Sequence, residues 1–359
     1  ETTTVTTAVG LHPIYENGKG GYIDESGTVV IEPLFEEVGR FSNGLAAVIQ
    51  NGEGGFIDPG GVVVVHPPED AVVRPLFASF SEGLATLQSS TGDIYGYIDT
   101  TGTWVAGPLF EEAGPLSEGR ACVAIDGRYG YVDGSGALVI EPRFDEAGPF
   151  SYGRALVEVE ERFGYIDRTG APVIEPQFDF ATTFCEGLAA VAVHGESGDY
   201  DSGYIDANGD WVIRFPTVRL SSSGEIPPKT PLLNSDSGFS EGLAMAQRWD
   251  GGSDSYLTGY LDKTGAWAIE PVFFEAHPFS EGRAVVSAYD EDDGEHVYGY
   301  IDRSGDFVIE PRYNTARDFS GGIAEVSWDA RDPDADPPFS LVYKSAYLDS
   351  DGSVVWRSD

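Results

Sequence analysis

Lysine is almost missing from this chain, with Lys19, Lys229, Lys263 and Lys344 the only four in 359 residues. Together with arginine the basic residues number 21 against 60 acidic ones, a formal net charge of −39. A surface of that sign repels phosphate backbones and anionic headgroups, so nucleic acid and acidic membranes are poor partners. No apolar run is long enough to span a bilayer. Five histidines, His12, His66, His194, His277 and His296, fall at no metal-ligand spacing, and each reads as a surface residue. Two cysteines, Cys122 and Cys185, are too few for a zinc site and sit at different phases of the chain, so they read as two small buried thiols. Neither a P-loop nor a dinucleotide fingerprint is present. These absences remove the common motif-bearing enzyme classes, and the chain is expected not to be an enzyme.

What the chain has instead is repetition. The stretch from Arg120 to Gly153, RACVAIDGRYGYVDGSGALVIEPRFDEAGPFSYG, recurs along its length. A Gly-Tyr or Gly-Phe pair marks each copy, at Gly21, Gly55, Gly96, Gly130, Gly164, Gly203, Gly259 and Gly299, with a degenerate ninth at Ala346-Tyr347. A Phe-Ser-x-Gly step accompanies it, as at Phe41 to Gly44, Phe150 to Gly153 and Phe279 to Gly282. Constant cores with elastic spacers are the mark of a tandem array.

The run G-Y-I-D-x-x-G-x-x-V-I-E-P-x-F-x-x-A-x-x-F-S-E-G-L-A-A-V resembles the WG-repeat (KWG) family of bacterial proteins, over nearly the whole chain from about Gly10 to Trp356. The family is named for a Trp-Gly pair, whereas here Gly20, Gly54, Tyr95, Tyr129, Phe163, Ser202, Thr258 or Tyr298 precedes the glycine. The resemblance implies a β-rich repeat scaffold for interactions and no particular activity.

Each unit reads as three strands: GLAAV, the short GYID, and a VVIEP stretch ending at its proline, which cannot donate to a ladder. Between the second and third lies a tight turn, Asp24 to Gly27, Asp133 to Gly136, Asp167 to Gly170, Asp262 to Gly265 and Asp302 to Gly305. There Asp accepts backbone amides and Gly tolerates positive φ. A linker such as FDEAGPFSEG then carries the chain onward. Residues 1–9, Thr-rich and out of phase, form an extension, and residues 10–359 a single domain of about nine units with an irregular insertion at 214–238. The expected fold is all-β, three-stranded meanders stacked as an open curved solenoid, with a closed propeller-like ring as the alternative.

Recurring acids at one phase, including Asp24, Asp133 and Asp262, and at another, including Glu32, Glu141 and Glu270, read as structural, because catalysis needs a unique converging set. Phe35, Phe110, Phe144, Phe178, Phe273 and Tyr313 read as core. Off-phase aromatics in long hairpin tips, Trp249, Tyr256 and Tyr289, are available to a partner. Calcium is the one metal with any support, at Asp290, Asp292 and Asp293 and at Asp332, Asp334 and Asp336, although neither loop fits the EF-hand pattern.

The extension offers Thr2, Thr3, Thr4, Val5, Thr6, Thr7, Ala8 and Val9 as a donor or capping strand. The first functional expectation is therefore a secreted, extracellular or cell-surface subunit that assembles with copies of itself into filaments. The second is a monomeric module that binds a protein or glycan through its long hairpin loops. The acidic surface suggests adaptation to high salt or a need for solubility.

Overall fold

The computed structural model describes residues 10–195, 199–219, 231–290, 294–331 and 341–358. Its strands form nine antiparallel sheets, each built from consecutive stretches of chain. The unit around Arg120 shows how the sequence makes one. A two-residue strand, Glu112–Ala113, pairs with Arg120–Ile125, which pairs with Arg128–Asp133, which pairs with Leu138–Phe144. The first hairpin turns on Asp126-Gly127 at φ 51° and 69°, the left-handed pair that a two-residue hairpin demands.

The second hairpin depends on the periodic aspartate. Asp133 Oδ1 accepts the backbone amides of Ser135 at 2.9 Å and Ala137 at 3.2 Å and the Ser135 hydroxyl at 2.6 Å, while Gly136 takes φ 76°. The amide part of the clasp recurs at Asp24, Asp58, Asp99, Asp167, Asp206, Asp262, Asp302 and Asp349.

The final strand does not end at its proline. It runs on to Phe144, and the pairing slips: Tyr129 faces Phe144, Tyr131 faces Ile140 and Val132 faces Leu138. The extra residues form a bulge that holds Pro142, where no ladder bond is required of it. This bulge explains the glycine of the Gly-Tyr pair. A Cβ on Gly130 would lie 2.5 Å from Ile140 O and 2.8 Å from Pro142 N, so only glycine lets the two backbones approach.

The tyrosine that follows is the centre of the blade. Tyr131 is fully buried, edge-on to Phe150 at 5.0 Å, and its hydroxyl donates to Gly148 O at 2.8 Å. That bond spans 17 residues, and Tyr22, Tyr97, Tyr165, Tyr260 and Tyr300 repeat it with the same separation. A buried phenol needs such a partner. Phe35, Phe110, Phe144, Phe178, Phe273 and Tyr313 are all buried as well.

These sheets correct the expectation of three-stranded meanders in an open solenoid. The segment taken for a linker contributes a further strand, as at Glu37–Val38, Glu112–Ala113, Phe180–Ala181 and Thr315–Ala316, and most units become four-stranded antiparallel sheets of the kind that make propeller blades. The fold class is all-β, with nine such blades in series among the described residues.

The chain divides into two compact units: residues 1–160 with 167–171 and 358–359, and residues 161–166 with 172–357. In the first, Leu84, Tyr97 and Phe110 of one blade pack on Leu116, Ala121 and Val132 of the next. In the second, Tyr260, Ile269 and Phe273 pack on Phe279, Val286 and Ile301. His12 is buried, which corrects its reading as a surface residue, and Cys122 and Cys185 are half-buried free thiols.

Candidate functional site

The Phe-Ser-x-Gly step is a latch between successive blades. In the first unit Ser81 Oγ donates to Leu116 O at 2.6 Å, and the two carboxylate oxygens of Glu82 accept the amides of Glu118 and Gly119, both at 2.8 Å. In the second, Ser240 and Ser280 donate to Phe279 O and Phe319 O, both at 2.7 Å, while Glu241 accepts Gly282 N and Glu281 accepts Gly321 N and Gly322 N. Lys263 reaches Glu186 at 2.9 Å. Burial raises the Glu186 carboxyl, but the Lys263 and backbone bonds outweigh it and hold the group below its ordinary value.

The letters Gly238-Phe239-Ser240-Glu241-Gly242 match the G-x-S-x-G pattern of serine hydrolases. Here Ser240 lies in a short strand, Phe239–Ser240, that turns into the strand Leu243–Asp250, not into a helix, and its hydroxyl serves the latch.

The sequence-selected acids divide by phase. The turn aspartates are spent on their own amides, and Glu32, Glu141, Glu175, Glu270 and Glu310 sit exposed in the bulges, one to each final strand. Among the described residues no group of three or more His, Cys, Asp or Glu side chains could hold a metal ion. Asp290 ends the strand Ala284–Asp290, while Asp292, Asp293, Asp332, Asp334 and Asp336 lie outside the described residues, as do Thr2 to Val9. Of the insertion at 214–238, residues 220–230 lie outside them too. No helix among the described residues is long and apolar enough to cross a membrane.

Of the hairpins of the second unit that extend beyond the core every blade shares, two carry the off-phase aromatics picked out in the sequence. Leu243–Asp250 pairs with Ser255–Asp262 and sets Trp249 directly opposite Tyr256, ring centroids 5.0 Å apart. Ala284–Asp290 pairs with Glu295–Ile301 and sets Tyr289 opposite His296, which also meets Phe274 at 4.8 Å. Tyr289 is 55% exposed and Tyr256 43%. These rings fill no core position, and paired with a neighbour they hold their faces ready for contact.

Sequence reasoning missed a group in the first unit, Tyr95 and Tyr129. Both stand at the variable position before the glycine, and both line cavities open to solvent. Tyr129 donates to Glu112 Oε2 at 2.9 Å. That bond, burial, and the charges of Glu112, Cys122 and Glu146 push its hydroxyl up to about 12.

Blades whose recurrent polar groups are consumed by turns and latches define a class of tandem β-repeat proteins. Models of the WG-containing repeat match residues 21–53, 95–129, 129–162, 163–196, 259–288 and 298–327, together more than half of the chain, and the chain belongs to that family. Among solved structures it is similar to Kluyveromyces lactis Hsv2, with 8% identity, 77% of this chain and 96% of that one covered, and TM-score 0.38. It is similar also to apo AztD from Citrobacter koseri, with 12% identity, 97% and 94% covered, and TM-score 0.40. A third is oligopeptidase B from Trypanosoma brucei, with 12% identity, 95% and 53% covered, and TM-score 0.41. No curated protein sequence matches the chain.

Proposed function

We propose that the protein is a non-catalytic binding scaffold whose two long hairpins, within residues 243–262 and 284–301, contact a protein or glycan partner. The observation that carries this reading is the placement of Trp249, Tyr256, Phe274 and Tyr289 outside the repeated core, each paired with a neighbouring ring, with Trp249 half-buried and the other three exposed. Aromatic pairs of this kind supply large contact area at low entropic cost. The test presents the wild type and a Trp249→Ser, Tyr256→Ser, Tyr289→Ser variant to a glycan array and a displayed peptide library. Ligands kept by the wild type and lost by the variant support the reading. Ligands indifferent to the tips, or none at all, refute it.

Assembly through Thr2 to Val9 is the second reading, favoured by one observation. The first sheet, like that of residues 284–313, shows three strands among the described residues, with His12–Glu16 at its edge, where the other sheets carry a further strand. A strand from another copy would complete it. Deleting residues 1–9 and imaging by electron microscopy tests this: long assemblies that vanish support it, and monomers before and after sink it.

A further inference from the structure

Two cavities lie side by side on the first unit and share Tyr95, Ala113 and Pro115 as a common wall. The first, about 420 Å³, is faced chiefly by Val72, Phe77, Ala78, Leu87 and Tyr95, with Arg74 and Gln88 also at its lining. Phe77 is 80% exposed and its neighbour Leu76 79%, an apolar outcrop on a chain otherwise dominated by carboxylates. The second, about 400 Å³, is faced by the rings of Tyr95 and Tyr129, the carboxylate of Glu112, and Pro115 and Pro149. Its lining includes no basic residue.

The two sockets differ in the charge they accept. Arg74 repels a cation from the first, where the apolar lining suits an aliphatic or aromatic side chain. In the second, Tyr129 engages one oxygen of Glu112 and leaves the other to a further donor, and two phenol rings stand beside it. A guanidinium or ammonium is the group that gains from both a carboxylate and ring faces. Glu111, Glu112 and Glu146 are exposed around this socket, so its field is negative as well as its contacts.

We infer that this paired groove takes an extended segment of a partner protein, one apolar side chain in the first socket and one arginine or lysine in the second. The proposal rests on the reading of the protein as a binding scaffold, and it places a second contact surface on the other unit from the aromatic hairpins.

The probe is a set of fluorescein-labelled peptides, Leu-(Gly)n-Arg with one to four glycines between capped Gly-Ser flanks, read by anisotropy on the full chain. At least one spacing should bind, and replacing its Arg by neutral citrulline should weaken it by about tenfold. Glu112→Gln, which keeps an acceptor for Tyr129, should weaken it similarly and flatten its salt dependence. Phe77→Ser should weaken it with an unchanged melting temperature. The hairpin variant with Trp249, Tyr256 and Tyr289 replaced should bind the peptide as the wild type does. Absence of binding at every spacing, or binding that ignores citrulline and Glu112→Gln, overturns the groove. If hairpin-dependent ligands survive that result the scaffold reading stands alone, and if they fail too both fall.

Discussion

Replacing Gly130 by alanine should damage the protein far more than replacing Gly127, although backbone angle alone ranks them the other way. Gly127 is the residue with positive φ, at 69°, and a Cβ there meets nothing within 4 Å. Its alanine variant bears the left-handed penalty, about 1–2 kcal/mol, partly offset by about 0.4–1 kcal/mol from a stiffer unfolded chain. At Gly130 the Cβ would lie 2.5 Å from Ile140 O, 2.8 Å from Pro142 N and 3.0 Å from Glu141 C. Every one of these is backbone in the bulge, so no rotamer change relieves the clash. Moving the bulge away disrupts the pairing of Tyr131 with Ile140 and loosens a fully buried tyrosine. Overpacking of about 1–3 kcal/mol together with one or two ladder bonds at about 1 kcal/mol each gives roughly 3–4 kcal/mol. Urea unfolding followed by near-UV circular dichroism measures both variants, and hydrogen exchange across residues 120–144 shows whether the loss is local. A Gly130→Ala variant as stable as Gly127→Ala would refute the steric reading of the repeat's glycine.

Tyr131→Phe keeps the ring contact with Phe150 and removes the donor to Gly148 O, so denaturation should report a loss of about 1–2 kcal/mol; a neutral result would mean that the carbonyl finds water. Glu281→Ala releases the amides of Gly321 and Gly322, and exchange protection should fall at those two residues while the turn at Asp302 stays protected; uniform protection would count against the latch. Hydroxyl bonds from Ser26, Thr101, Ser135, Thr169, Thr264 and Ser304, with backbone amides, hold the turn aspartates below their ordinary value. A folded pKa below the unfolded one contributes stability above the unfolded value and loses it as pH falls through the folded value. Stability should therefore drop below about pH 4, and the drop should be shallower in an Asp133→Asn, Asp262→Asn variant; identical pH profiles would remove the turns as its cause. Raising NaCl to molar levels, where screening acts over about 3 Å, should raise the melting temperature of a chain of net charge −39, and a flat response would remove self-repulsion as a limit on stability.

How much of this was legible in the chain follows from the range of each signal. The Asp-x-x-Gly turns are satisfied inside their own blade, and the Gly-Tyr cores find their partners a short way along the chain, as Tyr131 does at Gly148, 17 residues on. The fourth strand escaped notice because it is two residues long, as at Glu112–Ala113, and Gly114-Pro115 follows it directly. A pair of residues has no period to read. The latch was equally silent: Glu82 and Glu118 look like solvated acids, and only the next blade, some 36 residues on, supplies the amides they accept.

The sequence by itself therefore determined that the chain is a serial β protein with buried tyrosines and clasped turns, because those rest on neighbours along the chain. Only the tertiary structure decided that most units carry a further strand beside the three read from the sequence and that Tyr95, Glu112 and Tyr129 converge beside an apolar socket. Tyr95 belongs to one blade and Glu112 and Tyr129 to the next, and the tyrosines occupy a phase that varies from copy to copy, so their meeting depends on how blades pack and has no counterpart in the periodicity of the sequence.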